Sequence, residues 1–530
     1  MNIFVFRNHT VEPLFSNLKN VTFSEYGSVH MPDGDFSLLI WCYFLTPCFD
    51  ENEILKEIED IQTKLHMVSA NRQHGSFLLF TLDGRYLPSW QLSANAVSKS
   101  ISAFNNSIYD LADNSSAIKI VNIVELFNQY KPDQIVDKKY YYLSKIIINP
   151  LINKYFHTWF ESILKSINGV RKKCLVLDLD NTMWGGILGE DGITGIKLGN
   201  TYPGSCFVDF QKQLKEAKKN GVLLAICSKN NEDDVWEAFK NHPDMILKKD
   251  DFVSFRINWN NKAANIREIA AELNIGIDSI VFIDDNPVER SLVGAIEPDV
   301  ILADFPEKSY EMADSFQGVY NKYFRLYKLT KEDTVKTEQY KANSARLEKS
   351  KGFMSINDYL LSLNTVIKID KADTFNIPRI AQLTQKTNQF NLTTKRYSEP
   401  EIVEINSSNN LIFCASVSDK FGDNGITAAG IILTRDSEAE IDSYMLSCRI
   451  LGREAEFAII KTVLNSLFVK GVRTIKSTYI PTLKNRQTEN FYDLLGFSSK
   501  ALPDNSKEYL LEITKPFTIE NLFTINLNID

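Results

Sequence analysis

Cysteine is scarce in this 530-residue chain: seven, an odd number, with no Cys-x-x-Cys pair. That excludes a disulfide framework and the usual zinc spacings, and makes a reducing cytosol the expected setting. Glycine and proline are also sparse, 23 and 16, which excludes collagen-like and low-complexity chains. No long apolar run exists. The most apolar stretch, residues 36–49, is broken by Pro47 and followed by Asp50, too short to span a bilayer. The start, MNIFVFRNHTVEP, has neither the basic opening nor the apolar middle of a signal peptide. Positive charge is not in excess: 59 Lys and Arg against 67 Asp and Glu leave a net −8, so no general attraction to nucleic acid or anionic membrane follows. A cytoplasmic protein with neither nucleic acid nor membrane as partner is expected.

What is present is apolar content of 44%, enough for several cores, over a length that suggests about three domains at roughly 100–200 residues each. In residues 1–170, apolar runs at 3–6, 38–45 and 77–82 alternate with helical spacing, notably Ile54, Leu55, Ile58, Ile61 and Leu65. Alternating strands and helices imply a parallel α/β sheet. Residues 171–330 repeat the logic with buried strands at 174–177, 222–227 and 279–283, separated by helices at 207–220, 233–241 and 262–274. Residues 331–350 are charge-rich and read as a helical connector. Residues 351–530 read as mixed α+β, with strands at 365–369, 411–417, 430–433, 441–446 and 474–479 and a helix at 454–469. The fold class is therefore multi-domain α/β with an α+β C-terminal part.

The sharpest chemistry follows the strand Cys174-Leu-Val-Leu. Asp178-Leu-Asp180-Asn181-Thr182 places two carboxylates two residues apart at a strand end, where open α/β sheets put their ligands. One carboxylate suits a nucleophile and the other an acid/base, with Mg²⁺ offsetting their repulsion. Ser228, closing the second strand, offers a hydroxyl to a phosphoryl oxygen. Lys262 at a helix start offers a point charge. Asp284-Asp285, closing the third strand, offers two more carboxylates to a cation.

The order Asp-x-Asp, Ser, Lys, Asp-Asp resembles the haloacid dehalogenase (HAD) superfamily of phosphotransferases. By that resemblance Asp178 attacks phosphorus and Asp180 serves as acid and then base. Ser228 and Lys262 hold the phosphoryl oxygens, and Asp178, the Asp180 carbonyl, Asp284 and Asp285 serve Mg²⁺. Asn181, Thr182, Lys229 and Asn230 would line the phosphate site. The following Met183-Trp184-Gly185-Gly186, with Gln385-Lys386-Thr387-Asn388-Gln389-Phe390-Asn391, Phe421-Gly422-Asp423-Asn424-Gly425 and Ser447-Cys448-Arg449-Ile450-Leu451-Gly452-Arg453, resembles the FkbH-like family, HAD subfamily IIIC.

That resemblance implies a phosphoglycerate donor, 1,3-bisphosphoglycerate, and transfer of a glyceryl unit through an enzyme thiol to the phosphopantetheine of an acyl carrier protein in polyketide-type biosynthesis. The segment around Arg449, Gly452 and Arg453 resembles the acetyltransferase (GNAT) fold, whose Gly loop cradles a pyrophosphate, although Glu454 departs from the usual small residue. Cys448 is the candidate transfer thiol, Cys227 its rival, and a path using neither stays open. Residues 1–170 resemble an SGNH-hydrolase-like domain without a Gly-Asp-Ser nucleophile, and are expected to dock or dimerise rather than catalyse. The alternatives are a small-molecule phosphatase with accessory domains and an inactive carrier-binding scaffold.

Overall fold

The computed structural model describes residues 2–34, 36–47, 50–71, 76–88, 96–115, 117–167, 171–326, 336–350, 355–407, 410–447 and 450–529. Among these residues the strands gather into three sheets, and the chain divides into two compact units. The first unit is Met1–Leu164 with Tyr397–Glu404; the second is Lys165–Arg396 with Ile405–Asp530. Among the described residues no helix is long and apolar enough to cross a membrane.

The first unit is built on a parallel sheet of β1 (Ile3–Arg7), β2 (Val21–Phe23), β3 (Leu38–Cys42), β4 (Ser76–Phe80) and β5 (Ile118–Val121), in the order β2-β1-β3-β4-β5. The central strands are apolar at nearly every position because helices cover both faces of such a sheet. Helix Glu51–Asn71 turns Ile54, Ile58, Ile61, Leu65 and Val68 inward at helical spacing, as the pattern predicts. The strand expected at 38–45 stops at Cys42, and residues 43–45 continue as buried loop.

In the second unit, β6 (Cys174–Leu177), β7 (Leu223–Ser228), β8 (Ser254–Ile257), β9 (Ile280–Ile283) and β10 (Ile301–Leu302) form a parallel sheet in the order β10-β9-β6-β7-β8. The chain winds outward from β6 in both directions, so the C-terminal ends of β6, β7 and β9 lie side by side. A ligand crevice forms at such a point. Mixed α/β architecture with parallel sheets is thus established in both units.

The remaining strands are β11 (Thr365–Lys371), β12 (Phe390–Asn391), β13 (Leu411–Asp419), β14 (Gly422–Arg435), β15 (Glu438–Leu446), β16 (Thr474–Tyr479), β17 (Ser498–Ala501), β18 (Lys507–Glu512) and β19 (Phe523–Asn528). They form a mixed sheet in the order β17-β18-β16-β15-β14-β13-β11-β19, with β12 added against β15. β15 and β16 run parallel only from Glu438–Thr474 to Ile441–Ser477 and then part. Parting strands expose backbone N–H and C=O groups that need partners. β12 supplies them on one side, pairing Phe390 with Leu446 and Asn391 with Met445. On the other side Ile480 N donates to Leu392 O at 2.9 Å and Asn485 Nδ2 donates to Asn391 O at 3.0 Å. The gap is filled by the chain itself.

Helix Lys336–Ser350 occupies most of the expected connector. Its Tyr340 packs into the core around β6 and β7, and Arg346 makes a two-pronged ion pair with Asp419 at the β13–β14 turn, both distances 2.8 Å.

Candidate functional site

Three strand ends and one helix start build the site. Asp178 follows β6 and is fixed by its own N–H donating to Ile283 O at 3.0 Å. Asp284 follows β9, and its Oδ1 accepts from Asn286 N at 2.9 Å. Lys262 opens the helix Lys262–Glu272, whose N-cap Asn261 accepts from Ala263 N. The Lys262 ammonium lies 3.1 Å from Asp178 Oδ1 and 2.5 Å from Asp284 Oδ2, with all three side chains almost wholly buried. Burial alone would lower the lysine, but Asp178 and Asp284 hold its pKa well above the usual value. Burial pushes the Asp178 carboxyl up to about 7, with Lys262 opposing the rise and Asp284 adding to it. Asp285 is raised by burial and by Asp284.

Among the described residues, carboxylate oxygens of Asp178, Asp284 and Asp285 lie within 4.8 Å of one another. Asp178 Oδ1 is buried and receives no aligned hydrogen bond, although the ammonium is close. A buried carboxylate oxygen in that state is costly unless something else binds it. Oxygen donors of this kind suit a hard divalent cation such as Mg²⁺. The residues present therefore fit the ion. The Asp180 side chain points elsewhere, so only its backbone carbonyl is left to offer. Arg290, from the first turn of helix Pro287–Ile296, steadies the Asp284-Asp285 loop by donating to both their carbonyls. No pattern in the sequence marks it.

Asp180 is held from three sides. Its Oδ1 accepts from Trp184 Nε1 and from Leu188 N, each at 3.0 Å, and its Oδ2 accepts from Asn230 Nδ2 at 3.0 Å. Asn230 also donates to Ser228 Oγ at 3.2 Å, tying the acid/base candidate to the hydroxyl candidate. Asn230 thus acts on two site residues, where the sequence reading placed it on phosphate.

The remaining expectations divide. Asn181 takes a left-handed φ of 54°, and its Oδ1 accepts from Gly186 N at 2.9 Å, so its carbonyl oxygen closes the 181–186 loop. Thr182 is wholly buried with its hydroxyl unpartnered. Lys229 spends its charge on Glu289, 2.6 Å away. Cys227 lies under the sheet with its thiol toward Lys262 O, and burial pushes it up to about 12. It is a packed core thiol, as strand alternation away from Ser228 predicts. Cys174 is likewise core, raised to about 12 by burial.

In the third sheet, Cys448 and Arg449 lie outside the described residues. Gly452 has φ 74° and Glu454 φ 63°, so the chain makes two left-handed steps before helix Ala455–Val469. Arg453, expected at a phosphate, is instead buried, with Nη1 3.2 Å from Asp419 Oδ2 and Nη2 donating to Asn343 Oδ1 at 2.6 Å. The cause is Asp419, a fully buried carboxylate that draws both Arg346 and Arg453.

No family model and no curated protein matches this chain. Among solved structures, it is similar to the N-terminal part of the protein BF1531 from Bacteroides fragilis, which contains a phosphatase domain and was crystallised with Mg. The identity is 26%, the TM-score 0.54, and the match covers 62% of this chain and 94% of that one. It also matches the ribosomal-protein-S18-alanine N-acetyltransferase of Escherichia coli at 17% identity and TM-score 0.23, over 29% of this chain and 98% of that one. A third match is Ard1 of Thermoplasma volcanium, at 14% identity and TM-score 0.23, over 28% of this chain and 99% of that one.

Proposed function

We propose that the chain is a Mg²⁺-dependent phosphotransferase of the HAD type. Its Asp178 site would remove a phosphate ester while the rest of the chain places a glyceryl or similar hydroxyacyl unit on the phosphopantetheine thiol of an acyl carrier protein. The observation that carries the phosphoryl-transfer half is Lys262 bridging Asp178 and Asp284, with Ser228 and Asp180 joined through Asn230 beside them. The phosphatase domain and Mg of the BF1531 structure support the same half.

In this reading Asp178 attacks phosphorus and Asp180 gives a proton to the departing alkoxide, leaving an aspartyl-phosphate. Asp180 then takes a proton from the water that attacks the same phosphorus, and phosphate leaves with Asp178 restored. Ser228 and the Lys262 ammonium hold the equatorial oxygens, where charge accumulates. Mg²⁺ would be held by Asp178, the Asp180 carbonyl, Asp284 and Asp285, and would neutralise charge on the phosphoryl group. With 1,3-bisphosphoglycerate as donor, a thiolate attacks the acyl phosphate carbonyl and inorganic phosphate departs. The 3-phosphate ester is left for the Asp178 site. Cys448 is the proposed thiol, and the first unit is read as a non-catalytic, SGNH-like docking domain.

The second reading, a small-molecule phosphatase with accessory domains, is favoured by two observations: the gap between β15 and β16 is filled by β12, and Arg453 is committed to Asp419. Intact-mass analysis of holo-carrier incubated with 1,3-bisphosphoglycerate, Mg²⁺ and the enzyme separates the two. A glyceryl adduct on the carrier supports transfer; released phosphate with an unmodified carrier supports the second reading.

A further inference from the structure

The segment Met183-Trp184-Gly185-Gly186 has no role in the chemistry described so far, yet it makes the most specific contact to the acid/base candidate. Trp184 is fully buried and meets Phe239 edge-on, with ring centroids 5.9 Å apart. An indole this deep is ordinarily a core filler, and its N–H needs a partner when water is excluded. The partner here is Asp180 Oδ1, at 3.0 Å, four residues upstream. The two glycines make that approach possible. A Cβ on Gly185 would sit 2.9 Å from the Phe207 ring, and Gly186 has φ 95°, a conformation that side chains resist. The loop therefore folds back tightly enough to form a backbone bridge between Asp180 and Trp184 and to bring Leu188 N onto the same oxygen.

An indole N–H can only donate. Oδ1 thus faces two fixed donors, while Oδ2 faces the Ser228 side through Asn230. We infer that Trp184 is a positioning residue that fixes the Asp180 carboxyl so that Oδ2 alone is presented to the leaving oxygen of a phosphate ester. This rests on the phosphotransfer reading above and deepens it. The site is then built for esters of poorly acidic alcohols, whose alkoxides leave only with a proton in place. Phenolic esters, whose anions are stable in water, do not need that proton.

The test compares wild type and Trp184→Phe on an alkyl phosphate, glycerol 3-phosphate, and on p-nitrophenyl phosphate, in Mg²⁺. Loss of the N–H should lower kcat/KM about 10–100-fold on the alkyl ester, mainly through kcat. On p-nitrophenyl phosphate the drop should stay under about 3-fold. Asp180→Asn should show the same selectivity, and adding Trp184→Phe to it should cost nothing further on the alkyl ester, because the two act as a unit. Equal losses on both substrates, or fully additive losses in the double variant, would overturn the inference and leave Trp184 as packing. Should Trp184→Phe fail to fold, 3-benzothienylalanine at position 184 keeps the bicycle and removes only the N–H, with the same two outcomes. A folded wild type that cleaves neither ester overturns the phosphotransfer reading itself, and this inference with it.

Discussion

The Nζ of Lys262 lies 2.5 Å from Oδ2 of Asp284, both side chains being buried, one at the start of helix Lys262–Glu272 and the other just past β9. This pair, with Asp178 on the other flank of the ammonium, balances two buried carboxylates with one cation. Each prediction about the site starts from that balance.

Replacing Lys262 with Met leaves Asp178 and Asp284 facing each other without a cation. Unfolding in urea with EDTA present should show a loss of about 3–5 kcal/mol, the usual result of removing one partner of a buried pair. Added Mg²⁺ should recover part of it. Unchanged stability in EDTA would mean the carboxylates are not in one pocket.

Asp178→Asn removes the nucleophile and also one member of the repelling pair. Phosphate release should fall by about 10³-fold or more, while the melting temperature in EDTA stays level or rises, since burial already disfavours the Asp178 charge. Retained turnover would take the nucleophilic role from Asp178.

His9, in the first unit, is nearly buried against Thr46, and burial with nearby Lys145 lowers its pKa to about 4. A depressed folded-state value favours the neutral ring. Its contribution is therefore complete above about 6.5, declines as pH falls below that, and levels off below about 4, reaching a cost of about 3 kcal/mol. The difference in urea stability between wild type and His9→Gln should narrow by that amount between pH 7 and pH 4; a difference that does not vary with pH would contradict it.

Arg346 and Asp419 are both buried, and Arg346→Met leaves Asp419 with Arg453 alone. The second unit should lose about 3 kcal/mol, read from urea unfolding. A loss below about 0.5 kcal/mol would show the network to be exposed in solution.

Much of the site was legible because its signals are local. Cys174–Leu177 and Ile280–Ile283 are wholly apolar strands that end in Asp, and a carboxylate at the end of a buried parallel strand has few places to go but the crevice. The partners of those carboxylates were less legible. Arg290 acts through backbone carbonyls, and Asn181 and Lys229 satisfy Gly186 and Glu289, contacts set by loop geometry. Several strands escaped, and three of them show why. β12 is two residues whose pairing depends on the divergence of β15 from β16. β8 is an edge strand carrying half-buried Phe255 and Arg256 between Ser254 and Ile257, a mixed pattern without alternation. β19, in the Asn-rich tail, is exposed at Thr524, Asn526, Leu527 and Asn528, and is held by its parallel register with β11.

The most direct test of the central claim is rapid acid quench of the enzyme with Mg²⁺ and a phosphate ester, followed by peptide mass analysis. A gain of one phosphoryl group on the peptide containing Asp178, absent in Asp178→Asn and absent without Mg²⁺, is the expected result. A phosphoryl group on any other residue, or turnover unaffected by EDTA, would contradict the account.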